Sequence, residues 1–247
     1  MRPLSLAVPK ELLPFGPRPA IEAVIIELAV VGIRDFIIII SNTKEEIRRY
    51  LTNRISDRDA PDVMRGIRLS FCYQNEPRGN AHAIFCAQHL LDERSFIVAY
   101  PDQIIRDNQS IHKLLTAHAK TKASVVQIIR IGPSHSGMFA NSGVVAYEAL
   151  GNLTRIQTVS DKKPERLIIE SGTVRRIFGR MLLTRDFLRV VSELEITRAE
   201  VDDIPILQRI AAEGALYGVD IEEPYYDIGH LRSYQAAMRA EDAWRPA

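Results

Sequence analysis

Asp102 is the residue in this sequence whose neighbours best fit it for chemistry. It follows Pro101, directly after the apolar run Phe96–Tyr100, which reads as a short buried strand. In open α/β sheets, ligands bind outside the carboxyl ends of the strands. A carboxylate at that edge suits Mg²⁺, which takes one or two carboxylates and completes its shell with substrate phosphates. Pro-Asp is also a common turn pair and helix cap, so position alone leaves both roles open. Asp227, in Tyr225-Tyr226-Asp227-Ile228-Gly229 ahead of the last expected helix, is a second such carboxylate. It matters for chemistry only if the fold brings it to Asp102, and otherwise caps the helix.

The segment Gln74–Ala83 joins an expected strand to an expected helix. Gln74 offers a donor and an acceptor on one side chain, which suits the edge of a pyrimidine base. Gly79 permits close backbone approach to a ligand, and the same stretch reads equally well as a loop with a helix start. His82 is expected to pack or to bond backbone rather than act as a base. Lys163, after Asp161 and Lys162, could set an ammonium on a phosphate or be a solvated loop charge. Lys10, in Pro9-Lys10-Glu11-Leu12-Leu13-Pro14, means little taken alone.

The elements that must position these residues alternate between strand and helix. Ala20–Val31 has helical periodicity and stops at Gly32, a natural C-cap. Phe36–Ile40 is a continuous β-branched run, as expected of a parallel strand covered on both faces. Ser41 or Asn42 is expected to cap the helix that follows, to about Leu51. Ile67–Tyr73 alternates as a strand and Ala81–Leu91 reads as a helix. After Phe96–Tyr100 come a helix near Ile111–Lys120 and a strand at Ala123–Ile131. This rhythm predicts a Rossmann-like, doubly wound, mostly parallel sheet. Beyond Gly132, short strands near Val144–Tyr147, Leu153–Val159 and Leu167–Glu170 predict a small added β region. Helices are expected at about Arg185–Leu194, Ile204–Ala212 and Gly229–Arg239.

Bulk properties narrow the partners. The net charge of +1 gives no electrostatic reason to expect nucleic acid or an acidic membrane surface. The apolar stretch from Ala20 to Ile40 is interrupted by Glu22, Glu27, Arg34 and Asp35, which argues against a membrane span. Pro3, Pro9, Lys10 and Glu11 break up any early apolar core of a signal peptide. A cytoplasmic protein is expected, with Cys72 and Cys86 as reduced, buried thiols.

Taken in order, these fragments resemble the sugar-1-phosphate nucleotidyltransferases, and most nearly the bacterial UTP–glucose-1-phosphate uridylyltransferases, or UDP-glucose pyrophosphorylases. Pro9–Pro14 is similar to that family's PKE-x-LP segment, and Pro17-Arg18-Pro19-Ala20-Ile21 to the turn and helix after it. Gln74 to Ala83 matches its spacing of Gln, spacer, Gly and then His-Ala. Pro101-Asp102 resembles the metal-binding PD, Ser142-Gly143-Val144-Val145 the segment lying against the sugar, and Lys163-Pro164 the end of EKP. Phe178-Gly179-Arg180 resembles its VGRY strand, and Asp227-Ile228-Gly229 its closing D-x-G element.

The resemblance implies in-line attack of a sugar 1-phosphate oxygen on the α-phosphorus of UTP, giving UDP-sugar and pyrophosphate. It implies Asp102 and Asp227 as ligands of Mg²⁺ and Lys10 as the catalytic cation on the transferring phosphoryl group. Glu11, Gln74 and Gly79 would bind the nucleotide, and Gly143 and Lys163 the sugar and its phosphate. One domain over 1–247 is implied: a nucleotide-binding half (1–131), a sugar-binding half (132–240) and a tail (241–247). Because the family often forms dimers or tetramers, a homo-oligomer is implied too.

Alternatives stay open: thymidylyl transfer from dTTP, and a non-catalytic nucleotide-sugar-binding or regulatory paralogue. Met1-Arg2-Pro3-Leu4-Ser5 aligns with the residues just after the family's G-x-G-T-R loop. The family's first strand and that loop are therefore expected to be missing, leaving neighbouring strand edges unpaired. Smaller departures are Asp161 or Lys162 at a sugar-contacting glutamate position, Ala81 at a glycine, and Arg175-Arg176 where small or apolar residues stand.

Overall fold

The structure is a computed structural model that describes residues 8–106, 109–151, 153–194, 201–222 and 224–241. Met1–Ser5 and nearly all of the expected tail lie outside these described residues. A six-stranded sheet forms the centre, in the spatial order Ser95–Ala99, Val174–Thr184, Ser124–Ile131, Leu216–Asp220, Leu153–Val159 and Val145–Leu150. Ser124–Ile131 is buried at every position except Arg130, as expected of a mainly β-branched strand covered on both faces; its buried polar side chains, Ser124 and Gln127, bond Thr184 and the Arg180 N–H.

The α/β architecture is as expected, but this sheet is mixed rather than mostly parallel. Ser124–Ile131 and Leu216–Asp220 run parallel, while the other neighbouring strands are antiparallel. The reason is Val174–Thr184, which runs back between Ser95–Ala99 and Ser124–Ile131. Gly179 and the arginine pair 175–176 mask that strand's length in the sequence.

A separate parallel pair, Asp35–Ile40 with Arg68–Tyr73, keeps register from Asp35–Arg68 to Ile40–Tyr73. Among the described residues no ladder joins this pair to the six-stranded sheet. Instead, Phe36, Ile38 and Ile40 meet Ile97 and Ala99 within one apolar cluster. The helix Ala20–Val30 packs into the same cluster through Ile21, Val24, Ile25 and Leu28. It ends as the sequence predicts, with Gly32 at φ +93° and backbone bonds Gly32 to Ala29 and Ile33 to Leu28. Glu22, read from the sequence only as a charge interrupting an apolar run, is buried and held by Arg54 at 3.1 Å, Arg18 at 3.5 Å and the Tyr50 hydroxyl.

Two local expectations are corrected. Neither Ser41 nor Asn42 caps the next helix, which begins at Glu45 and runs to Ser56. Their side chains bond Thr43 and Asn75 instead, stiffening the turn. Leu167–Glu170 is not a strand; the ladder is Lys163–Arg166 against Ala140–Asn141. Ile169 is still buried, but its N–H bonds the Ser136 hydroxyl rather than a strand partner, so apolar character alone misleads there. Cys72 is buried, Cys86 is half-buried, and both are free thiols. Among the described residues no helix is long and apolar enough to cross a membrane.

Candidate active site

The two aspartates singled out from the sequence come together through a two-stranded ladder. Gln103–Ile105 pairs antiparallel with Tyr225–Asp227, placing Asp227 opposite Gln103, and the Ile228 N–H donates to the Asp102 carbonyl at 2.8 Å. Gly229 then turns the chain beneath both carboxylates. A methyl group there would lie 2.9 Å from an Asp102 oxygen and 3.0 Å from an Asp227 oxygen. Both carboxylates thus converge on the bare face of the glycine, whose N–H donates to Asp227 at 3.0 Å. Lys10, on a single 3₁₀ turn between its flanking prolines, reaches Asp102 with its Nζ 2.5 Å from Oδ2.

The electrostatics follow from this crowding. Burial works to lower the Lys10 ammonium, but Asp102, Glu11 and Asp227 outweigh it and hold its pKa above the ordinary lysine value. Asp227 is raised above the usual carboxylate range, first by burial and then by Asp102, with Arg176, the Gly229 N–H and Lys10 opposing. Two carboxylates at such close quarters are relieved by a cation. Among the described residues no cluster of three or more His, Cys, Asp and Glu side chains forms a complete metal cage. A pair is what a divalent cation needs when substrate phosphates supply the rest of its shell. Asp102 and Asp227 fit that group.

These residues open onto a pocket of about 230 Å³, lined also by Asn80, Tyr100, Gly143, Lys162, Arg176, Asp202 and Asp203. A larger hollow of about 450 Å³ lies between Arg130, Val145, Tyr147 and Arg175, but its lining contains no carboxylate. The smaller pocket, lined by Lys10, Asp102 and Asp227, is therefore the candidate site.

Asp202 and Asp203 were not singled out from the sequence, because an Asp pair ahead of the helix Ile204–Ala212 reads as an ordinary cap. Asp203 makes no side-chain cap bond. It accepts from the buried Tyr100 hydroxyl at 2.5 Å, while Lys162 holds Asp202 at 2.9 Å. Burial, then the adjoining Asp202, push Asp203 up to about 7. A carboxyl raised in the fold keeps its proton at a pH where the unfolded chain, near 3.9, has lost it. Its contribution to stability is therefore full below about pH 4 and is lost as pH rises to about 7. Asp203→Asn, which imitates the protonated form, is expected to flatten this decline. Urea denaturation at pH 5 and pH 7.5 should show the variant gaining on the order of 2–4 kcal/mol relative to wild type across that interval. Parallel pH dependences of the two proteins would remove Asp203 as the cause.

The other sequence candidates lie as follows. The Gln74 side-chain amide donates to the Gly79 carbonyl at 3.0 Å and pairs with His82 Nδ1 at 3.0 Å. Gly79 has φ +93°, and a Cβ there would sit 2.4 Å from the Val201 carbonyl. Its missing side chain thus admits the Val201 backbone. Glu11 accepts from Lys44 at 2.7 Å, and its second oxygen is buried without a partner. Gly143 lies in the pocket wall, bonded through its carbonyl to the Ile177 N–H at 2.8 Å. Lys163 is exposed on its strand opposite Asn141, and the lysine lining the pocket at that turn is Lys162. The structure therefore gathers Lys10, Asp102, Gly143 and Asp227, with Glu11 beside Lys10, whereas Gln74, Gly79 and Lys163 lie outside the pocket lining.

Behind the site, Arg180 is fully buried. It pairs with Glu27 at 2.5 Å and donates to the carbonyls of Gln103 at 2.8 Å and Tyr100 at 3.3 Å, bracketing Asp102. Gly179 beside it has φ +84°, and any Cβ would meet Ile105 at 2.2 Å.

A sheet-based α/β fold with paired carboxylates and a lysine at a strand's carboxyl edge is the arrangement of a phosphoryl-group-handling enzyme. The chain belongs to the nucleotidyl transferase family, whose profile matches residues 1–243. It is 26% identical over 244 residues to UTP–glucose-1-phosphate uridylyltransferase 2 of Staphylococcus saprophyticus, covering 92% of this chain and 82% of that one. It is 22% identical over 242 residues to the UTP–glucose-1-phosphate uridylyltransferase of Bacillus subtilis, covering 92% and 81%. In three dimensions it is similar to a UDP-glucose pyrophosphorylase solved with UDP-glucose, with TM-score 0.80, 21% identity and coverage of 99% and 94%.

Proposed function

We propose that this chain transfers a uridylyl group from UTP to glucose 1-phosphate or a related sugar 1-phosphate, releasing pyrophosphate. The observation that carries the reading is the meeting of Asp102, Asp227 and Lys10 at Gly229, in a chain of the nucleotidyl transferase family. The sequence likeness to two uridylyltransferases supports uridine over thymidine. Residues 1–131 form the nucleotide-binding half and residues 132–240 the sugar-binding half.

In-line phosphoryl transfer relies on positioning and charge neutralisation more than on covalent catalysis. Mg²⁺ held by Asp102 and Asp227 neutralises phosphate charge when bound. Lys10 remains an ammonium throughout, its charge secured by Asp102, and is directed to the transferring phosphoryl group. Gln74, Gly79 and Glu11 hold the nucleotide, while Gly143 and Lys163 contact the sugar and its phosphate. Gln74 is oriented for this by its bonds to Gly79 and His82, which fix the amide plane.

The test is direct. Purified protein with UTP, glucose 1-phosphate and Mg²⁺ is expected to form UDP-glucose and pyrophosphate in equal amounts, and to lose this activity on EDTA treatment. Faster turnover with dTTP would reassign the base. Binding of UDP-glucose without turnover would place the chain with non-catalytic nucleotide-sugar binders.

A further inference from the structure

Arg176 lines the same pocket as Lys10, Asp102 and Asp227 and is only 5% exposed. Its side chain makes one hydrogen bond, Nε to the Ser142 carbonyl at 3.1 Å, and its Nη1 is buried without a partner. The guanidinium lies over the Phe139 ring, 5.4 Å from its centroid, which fixes its plane. No carboxylate forms an ion pair with it among the described residues, although Asp227 and Asp203 are near enough to favour its charge. Burial lowers its pKa to about 10, so it is a cation at neutral pH. A buried cation with unused donors is costly unless an anion completes it.

We propose that Arg176 anchors the phosphate of the sugar 1-phosphate, an inference that rests on the sugar-phosphate substrate proposed above. The planar fork of an arginine matches phosphate oxygens bidentately. At about 230 Å³ the pocket is smaller than the ~300–1,000 Å³ typical of sites that enclose a drug-sized ligand, so it suits a small phosphorylated group rather than a whole nucleotide. Arg176 is joined by an isolated bridge to Val144 and bonds Ser142, both in the half assigned to the sugar. Gln74 and Gly79, assigned to the base, do not line this pocket. Lys163, outside the pocket lining, is exposed and has no such enclosure.

Calorimetric titration of the full chain in Mg²⁺ with glucose 1-phosphate, UTP, glucuronate and inorganic phosphate tests this. Arg176→Ala is expected to weaken glucose 1-phosphate about tenfold or more, the loss of a charge-assisted hydrogen bond. Arg176→Lys should recover part of that loss, and UTP affinity should stay within about threefold by the same reasoning. Arg176→Gln, which preserves length and polarity, replaces the alanine variant if the latter melts early, with the same loss expected. Mg²⁺ affinity supplies the control for mere charge balance: weaker phosphate binding with unchanged or tighter Mg²⁺ binding supports the anchor. Equal affinity of wild type and variants for glucose 1-phosphate overturns it. So does a loss confined to glucuronate, or a wild type that binds neither phosphate probe. If UTP fails to bind while the dependence on Arg176 persists, the uridylyl reading falls and the anchor stands.

Discussion

Asp102→Asn is expected to lower uridylyl transfer about 10³-fold, with the melting temperature within about 3 °C of wild type. The substitution keeps the side-chain shape and the backbone ladder that carries it, since the bond from Ile228 is to the Asp102 carbonyl. It removes the negative charge that meets Asp227 at Gly229 and holds Lys10 at 2.5 Å. Loss of the Lys10 contact weakens a partly exposed pair, worth about 1 kcal/mol or less. Relief of repulsion with Asp227 offsets it. Activity and stability should therefore separate cleanly. Asp227→Asn should behave alike, and the double variant should be scarcely worse than either single one, because two ligands of one cation act as a unit. Turnover within tenfold of wild type in either single variant would refute the shared cation site.

Arg180→Met should produce the largest loss of stability in the molecule, about 3–5 kcal/mol. The methionine fits the space but leaves the Glu27 carboxylate without its cation and the Tyr100 and Gln103 carbonyls without their donor. For a chain of this size the melting temperature should fall by about 10 °C. Adding Glu27→Met should restore part of that loss by removing the stranded carboxylate, while the Tyr100 and Gln103 carbonyls stay without their donor. Catalysis in the single variant should fall as well, because Tyr100 and Gln103 flank Asp102. A melting temperature unchanged by Arg180→Met would mean that the pair contributes nothing net.

Local pattern made much of this molecule legible from its sequence. Leu153–Val159 and Ile204–Ala212 form where periodicity places them, and Gly32 ends its helix for the reason glycine usually does. Asp102 and Asp227 could be named singly, each with a turn or cap as its plain alternative. Their meeting was not visible in local sequence, because it depends on a ladder between Gln103–Ile105 and Tyr225–Asp227. Resemblance to a family supplied that link, through the order of motifs rather than any one of them. The same route left Arg176 as a mere departure from pattern. An arginine beside another arginine reads as surface, and only the return of Val174–Thr184 between Ser95–Ala99 and Ser124–Ile131 buries it. Asp203 escaped notice for a similar reason, since Tyr100, its partner, is remote in sequence.

The division between the two sheets bears on how the cleft is gauged. Gln74 stands at the end of the Asp35–Ile40 and Arg68–Tyr73 pair, tied to Ile40 by its own N–H at 2.9 Å. Asp102 and Arg176 belong to the larger sheet or its immediate continuation. Among the described residues these two plates are joined by apolar side chains and by no backbone ladder, and apolar packing is non-directional. The span from Gln74 to Asp102 and Arg176 is thus bridged by side-chain packing. Its length is set by the bulk of Phe36, Ile38, Ile40, Ile97 and Ala99, so methyl groups along that seam act as shims for a reaction they never touch.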